Sequence, residues 1–203
     1  MSQSTLGFTF SEVMAGGVAF GETDPLVGLA AARAAGTTMT MHGTIVIEDL
    51  DSFIADGKHP GSLTGTLDFP PLGLQMPSTA GVFNLFSPTS DPTTKYMVYE
   101  MDFEHEGQSY YVAGHKDVKE ASMLALWHAT TTLYTQLHRG SDKTGPVVGA
   151  GVLSLSLHDL IQMVPTMHAV NAASPQQAAE AVTKFGRFFL GELWDTYIVK
   201  KGE

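Results

Sequence analysis

The chain has 203 residues and no cysteine, which removes disulfide frameworks, thiol nucleophiles and zinc sites built on thiolates. Basic residues are scarce: 11 Lys and Arg stand against 21 Asp and Glu, for a net charge of −10. So acidic a chain lacks the cationic footprint that nucleic-acid phosphates or an anionic membrane surface require. No apolar run approaches the ~18 residues of a membrane span. The opening residues, MSQSTLGFTFSE, have neither the basic region nor the apolar region of a secretion signal. These absences predict a cytoplasmic protein without a membrane span and without a nucleic-acid partner.

Catalytic motifs are also missing. The run Val147-Val148-Gly149-Ala150-Gly151 starts like a dinucleotide fingerprint, but Val152–Leu157 alternates as a strand instead of opening a helix. Gly61-Ser62-Leu63-Thr64-Gly65 places its serine one position too early for a hydrolase elbow. Nothing in the residues calls for a cofactor.

What the chain does have is alternation. Met39, Met41, Gly43, Ile45 and Ile47 share one parity, while Thr38, Thr40, His42 and Thr44 share the other. Successive side chains of a strand point to opposite faces, so this is a strand with one dry and one wet face. The pattern returns in Ser62–Phe69, Tyr96–His105, Thr130–His138 and Pro146–Leu157, and Phe8–Phe20 reads as a strand bent at Gly16-Gly17. Glu106-Gly107 marks a hairpin. Gly81–Phe86 suggests a short buried strand, and Lys116–Ala121 reads as polar loop or helix start before Met123–Trp127.

Helices are punctuated by Thr23 or Asp24 as cap before Pro25 and by Gly36, by an acidic cap near Asp49, by Asp159–Met167, and by the capping box Ser174-Pro175-Gln176-Gln177. The last helix carries an apolar stripe of Ala178, Ala181, Val182, Phe185, Phe188, Phe189 and Trp194. Gly186 and Gly191 within it predict close approach of another backbone. The expected fold is mainly β: an antiparallel barrel or strongly curved sheet of about eight strands with a long C-terminal helix and short helices. Residues 1–203 form one domain, with an internal echo of strand plus short helix around 37–55 and 146–164.

Three sets of residues are candidates for chemistry. Met39, Met41, Met97, Tyr99, Met101, Phe103 and Leu133 lie on dry parities and would line either a filled core or an apolar ligand cavity, since methionine suits adaptable walls. Glu100, Asp102, Tyr134 and His138 could supply an acid–base pair. His42, Asp68 and His138 lie on wet parities and could converge on a metal, against the plainer reading of a solvated face.

Leu126-Trp127-His128-Ala129-Thr130-Thr131-Thr132-Leu133-Tyr134, Gly81–Phe86, Phe185-Gly186-Arg187-Phe188-Phe189 and Leu193-Trp194-Asp195-Thr196-Tyr197 resemble an accessory module. That module occurs beside or fused to bacterial glucose–methanol–choline (GMC) oxidoreductases of the cholesterol-oxidase-like kind. The resemblance implies a setting of sterol or lipid-like alcohol oxidation and a GMC-type partner, but no flavin chemistry in this chain. Three functional classes follow: a non-catalytic binding or accessory module for a sterol- or lipid-like ligand or a partner oxidoreductase; a small cofactor-free isomerase, cyclase or hydrolase working in the barrel; and a homodimerisation domain joined through Phe188, Phe189 and Trp194.

Overall fold

The computed structural model describes residues 5–119 and 130–197. Its strands are β1 (Gly7–Phe20), β2 (Met39–Ile47), β3 (Pro60–Phe69), β4 (Gly73–Pro88), β5 (Thr94–His105), β6 (Gln108–Lys119), β7 (Thr132–Arg139), β8 (Val147–Ser154) and β9 (His168–Val170). Its helices are α1 (Pro25–Ala35), α2 (Leu50–Ala55), α3 (Leu157–Met163), which runs into a 3-10 turn (Val164–Thr166), and α4 (Pro175–Tyr197).

β1 to β8 pair antiparallel in chain order, and β8 returns to β1, so the sheet closes into an eight-stranded barrel with β9 added outside the ring. Closure removes the open edges that would otherwise recruit another chain. β1 makes it possible by changing partners. Residues 8–16 pair with β2, while 15–20 pair with β8. Gly16 stands at the change, where an added Cβ would lie 2.1 Å from the Val152 carbonyl oxygen, so only glycine lets the strands meet.

The alternation of β2 appears directly as burial: Met39, Met41, Ile45 and Ile47 face the interior, and Thr40, His42 and Thr44 face outward. The β5–β6 hairpin turns through Glu106 and Gly107, both at positive φ, as a two-residue turn of that chemistry should. Helix α1 is capped by Asp24, whose carboxylate accepts from the Leu26 and Val27 amides. Asp49 and Ser156 cap α2 and α3 in the same way, so β2 and β8 each do run into a short capped helix.

Helix α4 closes one end of the barrel. Ser174 Oγ accepts from the Gln177 amide at its start, and Phe185 stacks on Phe8 at 4.3 Å between ring centres while also meeting Phe10 and Phe53.

Three expectations need correction. Lys116–Lys119 continue β6 instead of forming a loop, because the ladder to β5 runs unbroken to Thr94–Lys119. Gly81–Phe86 is part of the much longer β4, whose register shifts hid its alternation. Gly186 and Gly191 face open space, with no described atom within 4 Å of an added Cβ. Phe188 packs against Phe53 and His59, and Phe189 against Phe86 and Phe185, at the barrel end. The Trp194 side chain and Met123–Trp127 lie outside the described residues.

Candidate functional site

Met39, Met41, Met97, Tyr99, Met101, Phe103 and Leu133 all lie inside the barrel and belong to one contiguous core cluster. The three surface clefts described, near α2, along β5–β7 and under α1, are lined by none of the four methionines. The seven residues thus share the inward, mainly apolar face of the sheet, with one exception in its chemistry.

That exception is polar. On β1 the inward parity reads Phe8, Phe10, Glu12, Met14; on β6 it reads Val112, Gly114, Lys116, Val118. Glu12 is 4% exposed, Lys116 1% and Tyr99 3%. Lys116 Nζ donates to the Tyr99 phenol oxygen at 3.3 Å and sits 4.4 Å from the centre of that ring. Glu12 Oε1 is buried without a hydrogen-bond partner among the described residues.

Burial lowers the Lys116 pKa, with the negative charge of Glu12 opposing that shift. Burial, and then the nearby Glu12 carboxylate, raises Tyr99 well above the ordinary phenol range, so the phenol keeps its proton. Three ionisable groups thus converge in a dry interior where charges and dipoles interact strongly. Only Tyr99 of the three was among the sequence candidates. The missed signal was one of parity: an acid and a base on positions that otherwise alternate as core.

Glu12 also sits at a seam. On the β8 side of β1, residues 7–9 pair with β9 and 15–20 with β8, which leaves 10–14 without a strand partner. The strap formed by α3 and the 3-10 turn covers this stretch. Thr166 Oγ1 accepts from the Ser11 amide at 2.9 Å and contacts the Ser11 carbonyl at 3.2 Å.

The acid–base candidates lie on the outer wall. Glu100, His138 and Lys143 line one cleft of about 290 Å³ over β5–β7. Both oxygens of Glu100 are engaged: Tyr111 donates at 2.6 Å and Lys143 Nζ at 2.7 Å. Burial and this carboxylate push the Tyr111 pKa far up. His138 Nδ1 donates to the Gly145 carbonyl at 2.9 Å, which fixes its ring. Asp102 accepts from Ser78 and the Ala80 amide, and Tyr134 sits beside His115 two residues along β7 from Gln136. Glu100 and His138 share this cleft, Asp102 stands in register with Tyr111 and His138 and acts on the Tyr111 phenol, and Tyr134 is not among the residues that line the cleft. Glu100 already has the partners that a structural carboxylate needs.

The metal candidates separate. His42 Nε2 and Asp68 Oδ2 meet at 3.2 Å on the outer face of β2–β3. Asp68 is also bound by the Gln75 amide, and this, ahead of the contact with His42, holds its pKa below the ordinary value. His138 belongs to the β5–β7 cleft, three strands away around the ring. Among the described residues no three ligating side chains gather at one point.

No helix among the described residues is long and apolar enough to cross a membrane. No family model, curated protein or solved structure matches this chain.

Proposed function

We propose that the barrel binds one apolar small molecule, sterol- or lipid-like in its body, whose polar group is held by Glu12, Tyr99 and Lys116. The observation that carries this reading is Glu12 Oε1, a buried carboxylate oxygen without a hydrogen-bond partner among the described residues. Leaving such a group unsatisfied costs about 1–3 kcal/mol or more, a cost that a ligand donor removes. The methionine wall supports the reading because unbranched thioether side chains repack around a guest with little strain. Glu12 lies at the one stretch of β1 covered by a helical strap instead of a strand, and this gives a guest a route inward. A GMC-type oxidoreductase acting on lipid-like alcohols, the partner that the resemblance implies, would be a source of such a molecule.

The test is native mass spectrometry of the chain purified from cells, followed by titration of the emptied protein with decanol and with a sterol. One bound molecule per chain is expected, with binding weakened by Glu12→Gln. An empty chain that takes up neither probe would overturn the proposal, and Glu12 would then be satisfied by buried water alone.

A further inference from the structure

We infer that Lys116 is a carbonyl-capturing amine, and that the molecule held in the barrel is an apolar aldehyde or ketone bound as an imine. The inference rests on the binding reading above and sharpens it to a chemical class.

The geometry singles out Lys116 from the other lysines. Lys58, Lys143 and Lys184 are exposed, while Lys116 is enclosed. Its Nζ has a neutral phenol as its described hydrogen-bond partner. It also takes part in none of the ion pairs found within 4.0 Å among the described residues. An amine so enclosed loses the water that holds a proton on it, and burial lowers its pKa although the charge of Glu12 opposes the shift. Burial of this kind is how lysines become nucleophiles toward carbonyl carbon.

The neighbours supply what the reaction needs. The free amine attacks the carbonyl carbon; a C–N bond forms, the C=O π bond breaks, and the oxygen takes a proton to give a carbinolamine. The hydroxyl then leaves as water with a second proton while nitrogen and carbon form the double bond. Amine plus carbonyl gives imine plus water, and no oxidant or reductant enters. Tyr99, which keeps its phenol proton and lies 3.3 Å from Nζ, is placed to donate to the carbonyl oxygen. The proton that nitrogen loses on attack passes to the Tyr99 phenol oxygen, which already accepts from Nζ and has given its own proton to the carbonyl oxygen.

The experiment exposes the full chain to decanal with cyanoborohydride, which reduces an imine to a stable secondary amine, and maps the adduct by peptide mass spectrometry. One saturable adduct at Lys116 is expected, formed faster than any adduct at Lys58, Lys143 or Lys184. Lys116→Arg should abolish that adduct while circular dichroism shows an intact barrel. Tyr99→Phe should slow its formation without moving it to another lysine. Decanol, which has no carbonyl, is titrated in parallel. Saturable decanol binding without a Lys116 adduct overturns the imine and leaves the binding reading standing, whereas failure of both probes removes the binding reading itself. Labelling confined to the exposed lysines also overturns the inference.

Discussion

Replacing Glu12 by Gln and Lys116 by Met, singly and together, measures what the two buried groups do for each other. No ion pair joins them within 4.0 Å among the described residues. Their attraction is therefore at most about 4 kcal/mol at an effective dielectric constant near 20. Desolvation outweighs it, because burial is the larger influence on Lys116 and its pKa falls despite Glu12. Glu12→Gln should therefore destabilise, since it leaves Lys116 buried without its opposing charge. Lys116→Met keeps the volume but strands the Glu12 carboxylate, so its gain should be small. The double variant should exceed both singles and match or surpass the natural chain, as apolar replacements of buried ionic groups often do, with a coupling energy of about 1–3 kcal/mol.

The assay is urea denaturation at neutral pH, comparing midpoints at constant slope, repeated at rising pH. The folded pKa of Lys116 lies below its ordinary value of 10.5. The unfolded chain therefore holds more protons between those two values, and stability rises with pH across that window. The full cost of Lys116 is present below the folded pKa and disappears toward pH 10.5. Tyr99, raised above the phenol range, keeps its proton through the window. The advantage of the double variant should accordingly shrink with increasing pH. Additivity within about 0.5 kcal/mol, or an advantage independent of pH, would refute the reasoning.

Phe185→Ala removes the ring that seals the barrel end and should cost about 3–5 kcal/mol in denaturant unfolding; a loss below about 1 kcal/mol would mean that α4 is not part of the core. Gly28→Ala would gain almost 1 kcal/mol in an isolated helix. Here its Cβ would fall 2.0 Å from the Ala150 carbonyl oxygen, so a net loss of about 1–3 kcal/mol is expected, and measured stabilisation would disprove the close packing of α1 on β8. Tyr111→Phe takes one partner from buried Glu100 and should cost about 1–3 kcal/mol by thermal or urea unfolding. Thr166→Val removes both contacts to Ser11 and should speed hydrogen exchange at the Ser11 amide together with decanol uptake. Unchanged rates would exclude the strap as the route inward.

Much of this architecture could be read without coordinates, for local reasons. Met39-Thr40-Met41-His42 alternates because a strand has period two, and Asp24-Pro25 and Ser174-Pro175 open helices because their side chains and ring geometry suit a helix start. The reading weakened wherever the period was interrupted. β4 shifts register twice against β3 and once against β5, and Phe86 takes a positive φ, so its two faces exchange along its length. Lys116 was lost for a different reason: a charged residue after His115 resembles the end of a strand unless its position is known to point inward.

The sequence alone determined that the chain would alternate, turn and cap its way into a curved antiparallel sheet, because those signals act over a few residues. Only the tertiary structure decided where the chemistry lies. Glu12, Tyr99 and Lys116 come from β1, β5 and β6, and they meet because β8 returns to β1 and the ring closes on their shared face. A cost of burial exists only once a side chain is enclosed, so the groups that stand out in the folded barrel are ordinary charged residues along the open chain.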